Sequence, residues 1–142
     1  MTPTDEKLAQ IILETRTIAM VGASIKPERA SNRVGNYMAR RGYRVIPVNP
    51  GHAGKTLFGQ TVVATLSEID EPVEMLNIFR RSEDVLRPVE EALQHLQGLK
   101  SIWMQLGITN AEARGRATAQ GLDVVEDRCL LIEQGRLLAR SG

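Results

Sequence analysis

The chain has 142 residues, 42% of them hydrophobic and 25% charged, with a formal net charge of +1 at pH 7. That length suffices for one domain with a substantial core, and the near-neutral balance marks no surface built for nucleic acid or membrane. A single cysteine, Cys129, excludes an internal disulfide and a cysteine-rich metal centre.

No stretch has the length of a membrane span, and Met1-Thr2-Pro3-Thr4-Asp5 does not begin a signal peptide, so the expected location is cytoplasmic. No internal repeat or low-complexity linker interrupts the chain, and residues 1–142 read as one domain. Thr4 or Asp5 can cap a first helix, in which Leu8, Ile11, Ile12 and Thr15 recur at helical spacing. This helix is expected against the edge of a sheet. Ile18 to Val21 is a short apolar strand without polar alternation, as in parallel sheets covered on both faces. It ends abruptly in Gly22-Ala23-Ser24, and Ser31-Asn32 opens a helix after a loop that Pro27 keeps from turning helical. Strand, small-residue turn and helix start together make an anion cradle. Its backbone N–H groups are expected to point outward, the helix dipole favours negative charge, and small side chains admit a ligand to the backbone.

Val34, Tyr37, Met38 and Arg41 share one face of that helix, and Gly42 closes it. Arg40, Arg41 and Arg44 cluster at its end and are read as complements to the dipole rather than as a binding patch. Tyr43 to Val48 is the second strand, broken by Asn49-Pro50-Gly51. Ala53 to Gln60 is loop-like, anchored by Leu57-Phe58; Thr61 to Val63 is extended; Thr65 to Asp70 makes one or two helical turns, with Ser67 a weak alternative cap. Val73 to Phe79 is the next strand, with Arg80-Arg81 just beyond it. Ser82-Glu83-Asp84 opens a helix whose buried face is Val85, Val89, Ala92, Leu93 and Leu96; Pro88 either kinks it or marks a second start. Ser101 to Met104 is a strand, Asn110 caps a helix that ends before Gly121, and Leu122 to Val125 is the last clear strand. Cys129 to Ile132 is a final short helix or strand.

Strands and helices alternate, and each strand is short and apolar. The expected fold is α/β, a three-layer Rossmann-like open parallel sheet with helices on both faces. Ligands of such sheets sit outside the carboxyl ends of the strands, where the strand order reverses. The loops of interest are therefore Gly22 to Arg29, Asn49 to Gly54, Phe79 to Ser82 and Gln105 to Asn110.

The first loop departs from the nicotinamide fingerprint G-x-G-x-x-G, which would place glycine where Ser24 and Pro27 stand. The acid that holds a ribose hydroxyl is also missing, its place taken by Val48-Asn49-Pro50. An NAD(P)-linked oxidoreductase survives only by analogy of fold. Lys26 and Arg29 suit a ligand richer in phosphate than a bare pyrophosphate. Arg80 is either a clamp for phosphate or carboxylate or an exposed charge at a helix start; Arg81 is read as solvated. Gln105 can meet an adenine or amide edge and Gly107 can let a ligand lie on the backbone, or the two simply form a turn. His52 and His95 have no nucleophile or metal partner in sequence and are read as surface or satisfied histidines; Cys129, Trp103 and Met104 are read as core. No catalytic residue and no metal site is expected.

Val-Gly-Ala-Ser (21–24), Gly-Tyr-Arg-Val-Ile-Pro-Val-Asn-Pro (42–50), Leu-Phe-Gly (57–59), Ile-Phe-Arg (78–80), Trp-Met-Gln-Leu-Gly (103–107) and Asp-Arg-Cys (127–129) occur in this order. The series resembles the small stand-alone CoA-binding proteins of Rossmann type, and is similar to the CoA-binding domain of the succinyl-CoA synthetase α subunit. The resemblance spans about Ile11 to Leu137. It implies a coenzyme A site: Gly22, Ala23 and Ser24 as the phosphate turn, Lys26 and Arg29 as the basic residues after it, and Val48, Asn49 and Pro50 beside the adenosine. Phe79 and Arg80 match the loop after the fourth strand, and Gln105 and Gly107 the loop after the fifth. In the synthetase, catalysis needs a histidine loop and a nucleotide-grasp subunit outside this domain. The implied role is thus non-catalytic binding of CoA or an acyl-CoA, or the loan of a CoA site to an acyl-CoA ligase or transferase. The expected partner is that small molecule, with no nucleic acid and no membrane; a homodimer or a protein partner is left open.

Overall fold

The computed structural model describes residues 3–138. The chain runs α1 (Asp5–Leu13), β1 (Thr17–Val21), α2 (Ala30–Arg40), β2 (Arg44–Val48), β3 (Thr56–Leu57), β4 (Gln60–Thr61), β5 (Met75–Ile78), α3 (Leu86–His95), β6 (Ser101–Met104), α4 (Ala111–Ala119), β7 (Asp123–Val125) and α5 (Leu130–Leu138). Three-residue 3-10 turns lie at Pro50–His52, Leu66–Glu68 and Ser82–Asp84. Five strands form one parallel sheet in the order β2-β1-β5-β6-β7.

The strands look uniformly apolar because each buries both its faces, alternating residue by residue. Ile18, Met20, Val45, Met75, Trp103 and Val125 point to one face, where α1, α2 and α5 cover them. Ala19, Val21, Ile46, Leu76, Ile78, Ile102 and Met104 point to the other, under α3 and α4. The three-layer α/β fold expected from the sequence is the fold observed. Thr4 and Asn110 cap their helices as expected: Thr4 Oγ1 accepts the Lys7 N–H at 3.1 Å and Asn110 Oδ1 the Ala113 N–H at 2.9 Å. Gly42 and Tyr43 close α2 by donating to the carbonyls of Ala39 and Met38, each at 3.1 Å.

Several expectations are corrected. α1 lies on a face of the sheet and not at its edge, because Leu8 and Ile12 need the broad apolar surface of Ile18, Met75 and Trp103. Arg136 ties α1 to α5 through both Asp5 carboxylate oxygens, at 2.9 and 2.8 Å, and holds that carboxyl below the usual carboxylate range. The stretch Ala53 to Gln60, read as loop-like, carries the two-residue strand β3, which pairs antiparallel with β4 at Gln60–Thr61. Thr65, not Ser67, caps the turn at Leu66–Glu68, and its N–H donates to Glu68 Oε1 at 3.2 Å. Pro88 marks a second start and not a kink. The 3-10 turn ends first, and Pro88 falls in the first turn of α3, where its missing N–H had no partner to lose.

The hairpin is pinned from its tip. Phe58 adopts φ +56° and its ring is buried against α2, where a Cβ on Gly35 would lie 2.1 Å from Phe58 Cζ. Gly35→Ala is therefore expected to destabilise by about 1–3 kcal/mol, as overpacking does. Gly115, exposed within α4 with nothing within 4 Å of its would-be Cβ, gives the opposite sign. Gly115→Ala is expected to stabilise by about 0.5–1 kcal/mol. Urea midpoints at unchanged m-value check both.

Candidate functional site

β1 lies between β2 and β5, and the chain leaves its tip for α2 on one face while β5 leads to α3 on the other. The two connections part, and the crevice between them is the place where parallel sheets hold ligands. Its floor is Gly22. At φ +82° this residue sits so near the β5 tip that a Cβ would lie 2.2 Å from the Phe79 carbonyl oxygen.

The turn after β1 is braced from within. The Gly22 N–H donates to the Val48 carbonyl at 3.1 Å and the Ser24 N–H to Ser31 Oγ at 3.0 Å. The expectation that the turn's amides face outward is thus corrected: two of the three face inward. Ala23, itself buried, has its carbonyl held by Asn49 Nδ2 at 2.8 Å, and Ser24 has its carbonyl held by Asn32 Nδ2 at 2.9 Å. The Ala23 N–H has no acceptor among the described residues, and further donors for an anion lie one step on, at the start of α2. Arg29, the N-cap, makes no capping bond, and no acid stands in the first turn. The Ala30 and Ser31 N–H groups have no acceptor among the described residues. Free amides at the positive end of a helix dipole bind anions.

That helix start opens on a cleft of about 540 Å³ above the tips of β1, β5 and β6. Gly22, Ser24, Lys26, Arg29, Ala30, Ser31, His52, Phe79, Arg80, Arg81, Gln105, Leu106 and Ile108 line it. Four of these side chains are cationic and none is a carboxylate. Arg81 is exposed, as expected, and pairs with Asp84 at 3.2 Å. Lys26, Arg29 and Arg80 have no ion pair among the described residues, so their charge faces the cleft unneutralised.

A second groove of about 930 Å³ lies on the other side of Arg80, which borders both. Val21, Val48, Pro50, Thr65 and Leu66 line it on one side. On the other, the 82–84 turn and α3 bring Glu83, Asp84, Glu90 and Glu91 together with Arg87 and His95, so this groove, unlike the first, carries carboxylates. The sequence-derived residues thus separate. Gly22, Ser24, Lys26, Arg29, Phe79, Arg80 and Gln105 border the first cleft, and Val48 and Pro50 the second. Ala23, Asn49 and Gly107 border neither. Asn49 is a brace: beyond its bond to Ala23, its Oδ1 accepts the Gly51 N–H at 2.9 Å.

Gly107 takes φ +83° in a turn, and its N–H is held by Asp127 Oδ1 at 2.6 Å. A Cβ there would meet no protein atom within 4 Å, and the positive φ of this glycine serves the turn. Gln105 Oε1 accepts the Leu130 N–H at 3.4 Å, which leaves the NH2 as its free end. His52 is a further correction. It borders the cleft, and its Nδ1 is buried without a partner, unlike a surface or satisfied histidine. It lies in the loop after β2 already marked by topology, which was the only sign of it in the sequence. Arg41 lies over the Tyr37 ring at 4.7 Å and Arg44 pairs with Glu71, both away from the cleft. Trp103 and Met104 are fully buried and Cys129 is half-buried. No cluster of metal-ligating side chains occurs among the described residues, and none of their helices is long and apolar enough to cross a membrane.

Comparison with known proteins gives a consistent picture. The sequence model of a family described as CoA binding domain matches residues 16–135. The uncharacterized protein YneT of Bacillus subtilis is 35% identical over 130 residues, 92% of this chain and 93% of its own length. The cell-free ID.343 structure from Thermus thermophilus is 36% identical with a TM-score of 0.89, covering 96% of this chain and all of that one. Acetyl-coenzyme A synthetase 1 of Candidatus Korarchaeum cryptofilum shares the fold alone, at 23% identity and a TM-score of 0.62. That likeness covers 77% of this chain and 25% of the synthetase.

The bracing role of Asn49 is testable. Asn49→Ala removes both its side-chain bonds and leaves the Ala23 carbonyl unpaired, so it is expected to lower stability by about 1–3 kcal/mol in urea unfolding. Faster hydrogen exchange at the Ser24 and Gly51 amides is expected with it.

Proposed function

The chain belongs to the CoA-binding domain family, and from that membership we propose that its crevice binds coenzyme A or an acyl-CoA. The observation that carries the reading is the uncapped start of α2, opening on a cleft lined by four cations and no carboxylate. Coenzyme A presents a pyrophosphate and a 3′-phosphate, and the residues fit such a load. The Ala30 and Ser31 amides, with Lys26, Arg29 and Arg80, hold the phosphates. Gly22, Ala23 and Ser24 set the floor on which they rest. Val48 and Pro50, fixed by Asn49, border the adenosine in the second groove, which Arg80 joins to the first. Phe79 and Gln105 flank the thiol arm, on a turn shaped by Gly107.

The proposed role is to hold the ligand rather than transform it. Ser24 Oγ, the hydroxyl on the cleft floor, accepts the Lys26 N–H at 3.1 Å and has no base beside it among the described residues. A nicotinamide dinucleotide fits less well. No acid stands at the tip of β2 to hold a ribose, and the Asn49 carboxamide is engaged at both ends.

Isothermal titration with CoA, dephospho-CoA and NADPH tests this. Binding of CoA is expected, weakening as salt rises. Lys26→Glu or Arg29→Glu is expected to weaken CoA about ten- to hundredfold, the loss of one charged contact, and dephospho-CoA by less. An absence of heat with both CoA and dephospho-CoA at high protein concentration overturns the reading.

A further inference from the structure

Charge is not spread evenly along the cleft. The strand order β2-β1-β5-β6 decides which residues lie beyond each tip: His52 after β2, Lys26 and Arg29 after β1, Arg80 after β5. After β6 the wall turns uncharged, with Gln105, Leu106 and Ile108. Leu106 is one of three large hydrophobics left exposed among the described residues, at 62%. A single exposed leucine is ordinary. This one is held in place.

Residues 105–108 form a four-residue turn. The Ile108 N–H donates to the Gln105 carbonyl at 2.9 Å, and Gly107 supplies the positive φ that a type II turn needs at its third position. The turn is clamped from outside by Asp127. Its Oδ1 accepts the Gly107 N–H, and its own N–H donates to the Ile108 carbonyl at 3.1 Å. To do both, Asp127 sits at φ +58°, a left-handed conformation unfavourable to an L residue. A strained clamp thus holds an apolar side chain out at the uncharged end of an otherwise cationic cleft.

We propose that Leu106, with Ile108 and Phe79 beside it, is an acyl-group platform, and that the chain prefers an acyl-CoA with an apolar acyl chain longer than acetyl over free CoA. The inference rests on the CoA reading above. With the phosphates fixed at the tips of β1 and β5, the thiol arm has one uncharged direction in which to run, toward β6. A thioester arriving there meets the free Gln105 NH2 as donor for its carbonyl and the leucine as a surface for its chain.

The test is titration of the full chain with CoA, acetyl-CoA, butanoyl-CoA and hexanoyl-CoA. Affinity is expected to rise roughly two- to fourfold for each methylene that finds the platform. Leu106→Ser, a change at an exposed position, is expected to flatten that dependence, lowering the preference for hexanoyl-CoA over CoA. Binding of CoA with a flat or falling chain-length series overturns this inference and leaves the CoA reading standing. Failure of CoA and every thioester to bind overturns both. A rising series that Leu106→Ser leaves unchanged overturns the assignment to Leu106.

Discussion

The carboxyl ends of the strands are organised by the lack of a side chain at one position. With a Cβ at Gly22, the β1 turn and the Phe79 carbonyl could not lie where they do, and the two connections leaving the sheet would be forced apart. Beside that approach, Asn49 reaches the Ala23 carbonyl and Ser31 accepts the Ser24 amide. The Gly22 and Ser24 amides and the Ala23 and Ser24 carbonyls are then satisfied internally, by neutral groups. The start of α2 has no such partner, and its positive end is left to the cleft. The anion site proposed here comes from what the bracing does not reach.

The same logic explains the division of labour among the polar residues. Neutral side chains such as Asn32, Asn49 and Gln105 are turned inward to backbone groups, where an uncharged hydrogen bond avoids the penalty of burying an ion. Cations stay at the rim, where Lys26 and Arg29 remain hydrated until an anion displaces water. In the proposed reading, family membership supplies the ligand class and the lining supplies its direction. The cleft's cations gather at the tips of β1 and β5, and its uncharged end lies toward β6.

The sheet and its helices were legible in the sequence because local signals coincided with tertiary needs. Ile102 to Met104 is apolar whichever face is counted, and Thr4 and Asn110 cap with their own side chains within three residues. The cations of the cleft were legible too, since topology alone assigns the loops after β1 and β5 to the crevice. What was not legible depends on partners far along the chain. Gln105 meets Leu130 and Gly107 meets Asp127, and no local pattern announces either contact. Phe58 could be read as an anchor but not its left-handed backbone or its slot over Gly35. His52 was set aside for lack of a sequence neighbour, whereas its place was decided by the 3-10 turn that carries it over the cleft.

Trp103 has a practical consequence. It is the chain's one tryptophan, sealed from solvent, with its indole N–H donating at 2.8 Å to the Arg128 carbonyl. An indole so placed emits from an anhydrous setting, at the blue end of its range and shielded from aqueous quenchers. Its spectrum therefore tracks the integrity of the sheet and of the 126–129 connection, a built-in gauge of unfolding that traffic through the crevice leaves largely unmoved.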